Sequence, residues 1–223
     1  MKRYLVLTRR FALYVFGMVL LALGITLCAQ CNLGTTPISS IPYVLTRCTP
    51  FTFGMLTSMS HIVNIVLQYV LERKLWNPRV LLQLPECFLF GALVDLVAYV
   101  ITYSPTDIVG MVALMCVSIV LIAAGTTIMV GMNLIPNPPD GAVRLISTLV
   151  RGDMGIVKRF YDIIMVLGAA LIDLIGFHDL YGLGIASLIS MYGVGKLISV
   201  MQKHFGQALI ALREGDKRER TAR

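Results

Sequence analysis

A chain of 223 residues that is 57% hydrophobic and only 14% charged falls well short of the roughly 25% charge of a soluble domain, which excludes an ordinary water-soluble fold. Mean hydropathy is +0.80, and the apolar residues stand in blocks of membrane-spanning length. The net charge of +7 calls for no nucleic acid, because Lys and Arg fall between the blocks, where topology and lipid headgroups account for them.

Six blocks follow one another, at residues 11–30, 53–71, 80–103, 108–132, 157–175 and 181–201. Each reaches about the 20 residues that cross the hydrocarbon core. The second and third are the most polar: His61 and Asn64 interrupt one, Pro85, Glu86 and Asp95 the other. The basic start "MKRYLVLTRR" and the later "LCAQC" imitate a cleaved leader. The first apolar run is longer than a leader's 7–15 residues and matches an internal block, so it is expected to remain as a span.

Charge sets the expected orientation. Lys2, Arg3, Arg9 and Arg10 precede the first span; Arg73, Lys74 and Arg79 follow the second. Arg144, Arg151, Lys158 and Arg159 lie between the fourth and fifth, and Lys203, Arg213, Lys217, Arg218, Arg220 and Arg223 follow the sixth. On six spans these share one side, and Arg47 alone takes the other. The positive-inside rule makes the rich side cytoplasmic. The expectation is a multi-pass protein of the cell (inner) membrane with both termini cytoplasmic and a solvated tail, "REGDKRERTAR".

The phrase "NLGTTPISSI", from Asn32, returns as "NLIPNPPDGA", from Asn133. At that offset of 101 residues Ala22 pairs with Ala123, Gly24 with Gly125, Thr26 with Thr127, Pro37 with Pro138 and Gly54 with Gly155. The matches fall on residues that set backbone shape. Each copy holds three spans, and an odd number inverts the second copy in the membrane, as in many secondary transporters. The expected organisation is a basic segment 1–10, a first three-helix repeat 11–103, a second 108–203, and a basic tail 204–223. After each phrase comes a short amphipathic stretch, "SSIPYVLTRC" or "GAVRLISTLV", too short to cross the membrane as a helix. Ser39 and Asp140 lie near the starts of these stretches and are good cap types. The stretches read either as half-helices whose ends face a substrate or as capped interfacial turns.

These residues resemble a known family. "LGTTPISSIPYVLT" is similar to the LG-x-x-P motif of the YczE/YyaS/YitT family of bacterial membrane proteins, and "NPPDGAVRLI" to its second-half P-x-D-G motif. "GIVKRFYD" resembles its basic-then-acidic signature, and "GALVDL" and "GLGIASLISMYGVGKLI" its glycine-punctuated third helices. The likeness runs from Phe11 to Lys203. Two departures stand out: Ile38-Ser39 replaces the usual Trp-Asp, and "LPECFLFG" replaces a Gly-x-Gly-Thr-like run. The resemblance implies a polytopic membrane fold with a suspected transport role.

Ionisable residues inside spans are functional candidates by default. Asp95 and Lys196 match across the repeat and read as a gating or coupling pair, as a structural ion pair, or as a snorkelling lysine. Lys158 and Asp162 share a helix face, as do Arg159 and Asp162. They read as a juxtamembrane ion cluster, which Asp140 could join, or as a basic face toward an anionic substrate. His61 pairs with Asp162 at the offset and reads as packing or as a proton relay. Cys28 and Cys31 have redox spacing, and Cys31 with Cys48 could form a disulfide; Met129 and Met132 at the matching positions favour soft packing equally.

No nucleotide-binding loop, zinc-protease or serine-hydrolase motif is present, so neither an enzyme, a cofactor nor a metal site is expected. The reading is an all-α membrane protein of six transmembrane helices in two inverted three-helix repeats. Its expected function is secondary transport or export of a small solute or ion around a midplane site of Asn32, Pro37, Ser39, Asn133, Pro138 and Asp140. Asp95, Lys196, Lys158, Arg159 and Asp162 would gate or couple. Partners are the lipid bilayer, the solute and a possible second copy. The alternatives are a non-transporting accessory or scaffold factor, and a membrane thiol oxidoreductase using Cys28 and Cys31.

Overall fold

The computed structural model describes residues 2–73, 77–178 and 184–214. Lys74, Tyr181, Lys217, Arg218, Arg220 and Arg223, used above for orientation or span limits, lie outside the described residues. Among those described, nine helices form: α1 (Lys2–Gln30), α2 (Pro37–Cys48), α3 (Phe53–Glu72), the single turn α4 (Pro78–Leu81), α5 (Gln83–Val100), α6 (Ile108–Met132), α7 (Pro138–Val150), α8 (Met154–Phe177) and α9 (Ile185–Glu214). Six of them, α1, α3, α5, α6, α8 and α9, are long and apolar enough to cross a membrane. Their outer faces carry Val63, Val66 and Val70 on α3, and Ile164, Leu167 and Leu171 on α8, all exposed. Apolar belts of that extent need lipid rather than water.

The spans differ most from the apolar blocks at the two ends of the chain, while α5, α8 and the start of α9 shift by two to four residues. The first helix starts at Lys2 and the last runs on to Glu214. The ends stay helical because they hold one another: Leu209 and Leu212 pack on the core, and an Arg9 guanidinium N–H donates to Leu212 O.

Local chemistry explains the breaks between helices. Pro37 and Pro138 stand at the first positions of the short helices α2 and α7, where a missing N–H costs nothing. Asn32 and Asn133 take positive φ, 58° and 47°, the left-handed conformation that Asn adopts more readily than most residues. The Thr52 hydroxyl caps α3 by accepting from Met55 N, and the Asp153 carboxylate caps α8 by accepting from Ile156 N. Helices α2 and α7 therefore start 101 residues apart, as do α3 and α8.

The centre of the bundle is the antiparallel pair α1 and α6. At one end an Arg10 guanidinium N–H donates to Met132 O, 2.8 Å away; at the other end of α1 the Gln30 amide donates to Ile101 O, at the end of α5. Between them glycines bring the backbones together. A Cβ on Gly24 would lie 2.6 Å from Ile122 Cγ1 and 2.9 Å from Ser118 O, and one on Gly125 2.6 Å from both Leu21 N and Gly17 O. Exchanging each residue for its partner at the 101 offset turns the first set of contacts into the second. Tyr14, Met18 and Leu21 join Phe90 and Val94 of α5 and Ile122 and Met129 of α6 in the main core. The short helices cross over: α2 packs on α8, and α7 packs on α3.

Candidate functional site

A cavity of about 440 Å3 lies inside this crossing arrangement. Leu21 and Ile25 of α1, Phe90 of α5 and Ile122 of α6 supply an apolar wall. Thr36, Pro37 and Ser39 come from the start of α2, Asn137 and Asp140 from the start of α7. Lys158, Arg159 and Asp162 stand on the first turns of α8, and Tyr192, Lys196 and Ser199 on α9. The starts of α2 and α7 reach it although the preceding helices, α1 and α6, run in opposite directions.

The charged residues form one cluster and two separate cations. Lys158 Nζ lies 3.3 Å from Asp140 Oδ1 and 3.9 Å from Asp162 Oδ1. One ammonium thus bridges two carboxylates from two helices. Arg159 donates through Nε to Gly155 O, 3.2 Å away within its own helix. Lys196 Nζ sits 5.9 Å from the centre of the Tyr192 ring. Among the described residues neither Arg159 nor Lys196 has an acidic partner.

His61 is buried in the wall at 2% exposure and stacks on Phe90, with ring centres 5.4 Å apart. Its Nδ1 has no hydrogen-bond partner among the described residues. At the start of α2 the Thr36 hydroxyl donates to Ser39 Oγ at 3.1 Å, which leaves the Ser39 hydroxyl hydrogen free to donate.

The helix starts themselves offer few backbone donors. Pro37, Pro138 and Pro139 have no N–H, and Ser39 N and Gly141 N are taken by Thr36 O and Asn137 O. Ser39 and Asp140 are not the caps: Thr36 and Asn137 hold those positions, without side-chain cap bonds. Ser39 and Asp140 sit two residues inside the helices and both line the cavity, with the Ser39 hydroxyl also tied back to the cap residue Thr36. Side chains carry the polarity of the site.

Of the expected residues, Pro37, Ser39, Asp140, Lys158, Arg159, Asp162 and Lys196 line the cavity. Asn32 turns to the loop before α6, donating to Ser104 Oγ at 2.8 Å and Pro105 O at 3.2 Å. Asn133 ends α6, where its carbonyl faces Arg10. Pro138 is buried behind the cavity, and its carbonyl accepts from Gln68 Nε2 at 3.1 Å. Asp95 does not meet Lys196. Its carboxylate accepts from Thr52 Oγ1 at 2.6 Å and Gly54 N at 2.7 Å, where Gly54 and Gly91 let α3 and α5 touch. Matching positions at the 101-residue offset do not by themselves bring two residues together.

All five cysteines are free thiols. Cys31 Sγ donates to Cys28 O at 3.0 Å, and both side chains are fully buried. The side-chain hydrogen bond with Cys28 pulls the Cys31 thiol below its ordinary range, to about 7.

Thr36 and Asn137 enter the site from outside the expected set, and His61, read from the sequence as packing or a proton relay, lines the cavity with them. A carboxyl, Glu86, is also buried, at 4% exposure with both oxygens unpartnered among the described residues.

Six lipid-facing apolar helices around a polar-rimmed cavity define a multi-pass α-helical membrane protein. The chain belongs to the family of unknown function DUF6198, which matches residues 8–203. It is 24% identical over 200 residues to the uncharacterized protein YyaS of Bacillus subtilis (strain 168), covering 88% of this chain and 96% of that one. The resemblance read from the "LGTTP" and "NPPDGA" motifs is thereby borne out. No solved structure matches the chain.

Proposed function

We propose that this protein is a secondary transporter of a small solute, built as two inverted three-span halves that rock about the α1–α6 contact. The observation that carries this reading is the convergence of two short helices on one cavity. Each follows a span that runs opposite to the other's. Irregular backbone at membrane depth is tolerated where it lines such a space. The reciprocal contacts of Gly24 and Gly125 support the inverted repeat, and so does the exchange of α2 and α7 between halves. The residues assigned to the solute path are Pro37, Ser39 and Asp140, with Lys158, Arg159, Asp162 and Lys196 around them. On the charge reading both termini are cytoplasmic, in the cell membrane.

Cysteines placed singly at positions 36–40 and 137–141, in a background without native thiols, test this. An alternating-access transporter exposes both stretches to an impermeant maleimide from either side of the membrane. Reaction from one side only, or from neither, would replace the transporter with a scaffold whose polar groups are helix–helix glue.

A further inference from the structure

We infer that the cavity takes a small organic anion with an apolar body, held by Arg159 and Lys196. The inference rests on the same cavity as the transport reading and names its substrate class.

The charges point one way once partners are assigned. Lys158 lies between Asp140 and Asp162, so that trio keeps one negative charge, and Arg159 and Lys196 bring the cavity lining to one net positive charge. Arg159 and Lys196 line the same cavity with no carboxylate of their own among the described residues. Both residues are exposed and can reach a ligand without first breaking an ion pair. An incoming anion can pair with either cation without displacing a carboxylate from it, whereas an incoming cation meets a lining that is net positive.

Independent of charge, the cavity holds unused hydrogen-bonding capacity. His61 is 2% exposed, lines the space and keeps Nδ1 without a partner. The Ser39 hydroxyl has a free donor beside it. A carboxylate can bind the planar Arg159 fork with two parallel bonds. The remaining wall, Ile25, Phe90 and Ile122, has nothing to offer a second charge. It suits a hydrocarbon or aromatic body, and a volume near 440 Å3 is in the range of small-molecule sites.

The test uses the full-length protein in detergent at pH 7 with three probes of one shape: benzoate, benzamide and benzylammonium. Benzoate is expected to raise the unfolding temperature with concentration, as a ligand of the native state must, and the other two are not. Arg159→Gln and Lys196→Gln are each expected to raise the benzoate Kd about tenfold. Arg159→Lys keeps the charge but loses the fork; it guards against a folding defect and should fall between wild type and Arg159→Gln. Equal stabilisation by benzamide or benzylammonium would overturn the anion and leave a binding cavity in place. An undiminished benzoate effect in the Arg159→Gln/Lys196→Gln double variant would put the binding elsewhere and overturn the assignment. Silence with all three probes would overturn the inference too, and the cysteine-accessibility result would then decide separately whether the cavity is a transport path.

Discussion

Lys158 bridges to Asp140 across two helices, Nζ to Oδ1 at 3.3 Å. The contact ties the first turn of α8 to the first turn of α7, so the basic side of the cavity is also a structural joint. Its strength is limited by water, since the Lys158 and Asp140 side chains are 33% and 26% exposed.

Lys158→Gln is therefore expected to cost about 1 kcal/mol of stability, by leaving Asp140 and Asp162 facing one another. Asp140→Asn in the same chain should recover part of that loss. Thermal unfolding of the two single variants and the double variant gives the coupling directly; strict additivity would mean the contact contributes nothing.

The close approach of α1 and α6 makes a reciprocal prediction. Gly24→Ala and Gly125→Ala should each destabilise by about 1–3 kcal/mol, because a methyl group there meets packed atoms on the facing helix. Gly206→Ala is the control: nothing lies within 4 Å of a Cβ at that position, and helix propensity favours alanine by about 1 kcal/mol. Unfolding midpoints of the three variants check the contrast.

Asp173 is fully buried, and Arg47 NH1 lies 3.2 Å from its Oδ1 while the guanidinium covers the Phe177 ring at 4.0 Å. Arg47→Met removes the charge and keeps much of the bulk. It should cost about 1–3 kcal/mol, because Asp173 is fully buried while the Arg47 side chain keeps 26% exposure and water screens part of the pair. Arg47→Met/Asp173→Asn should be more stable than Arg47→Met alone, measured by unfolding in detergent.

Asp95 is expected to act on stability and not on ligand. Its two accepted bonds, from Thr52 Oγ1 and Gly54 N, fasten α3 to α5. Asp95→Ala should lose about 1–3 kcal/mol by leaving donors without partners, with benzoate affinity of the folded fraction unchanged. A shifted affinity would return Asp95 to a coupling role.

Cysteine reactivity reads orientation. Cys48 ends α2 and is exposed, whereas Cys28, Cys31 and Cys87 are buried and Cys116 is exposed within a span. An impermeant maleimide on intact cells should label Cys48 and spare Cys28, Cys31 and Cys87. Labelling of Cys48 only after the membrane is opened would reverse the expected topology.

The spans were legible because lipid imposes a length and a composition, and α3 and α6 begin where their apolar blocks begin. The helix starts at Pro37 and Pro138 were legible for a local reason as well: proline fixes φ and lacks a donor. Membership of the site was less so. Asn32 and Asn133 carry the repeat as plainly as Pro37 does, but their work is to turn the backbone at a helix end, and a turn residue faces away from the space its helix encloses.

The sequence by itself determined a multi-pass membrane protein with six candidate spans, its family and the residues that break its helices, since those depend on hydropathy and backbone chemistry read locally. Only the tertiary structure decided which charges meet a partner among the described residues. Asp95 went to Thr52 and Gly54, Lys158 to Asp140, and Arg159 and Lys196 were left facing a cavity. Pairing depends on distances across helices far apart in the chain, and no local pattern contains them.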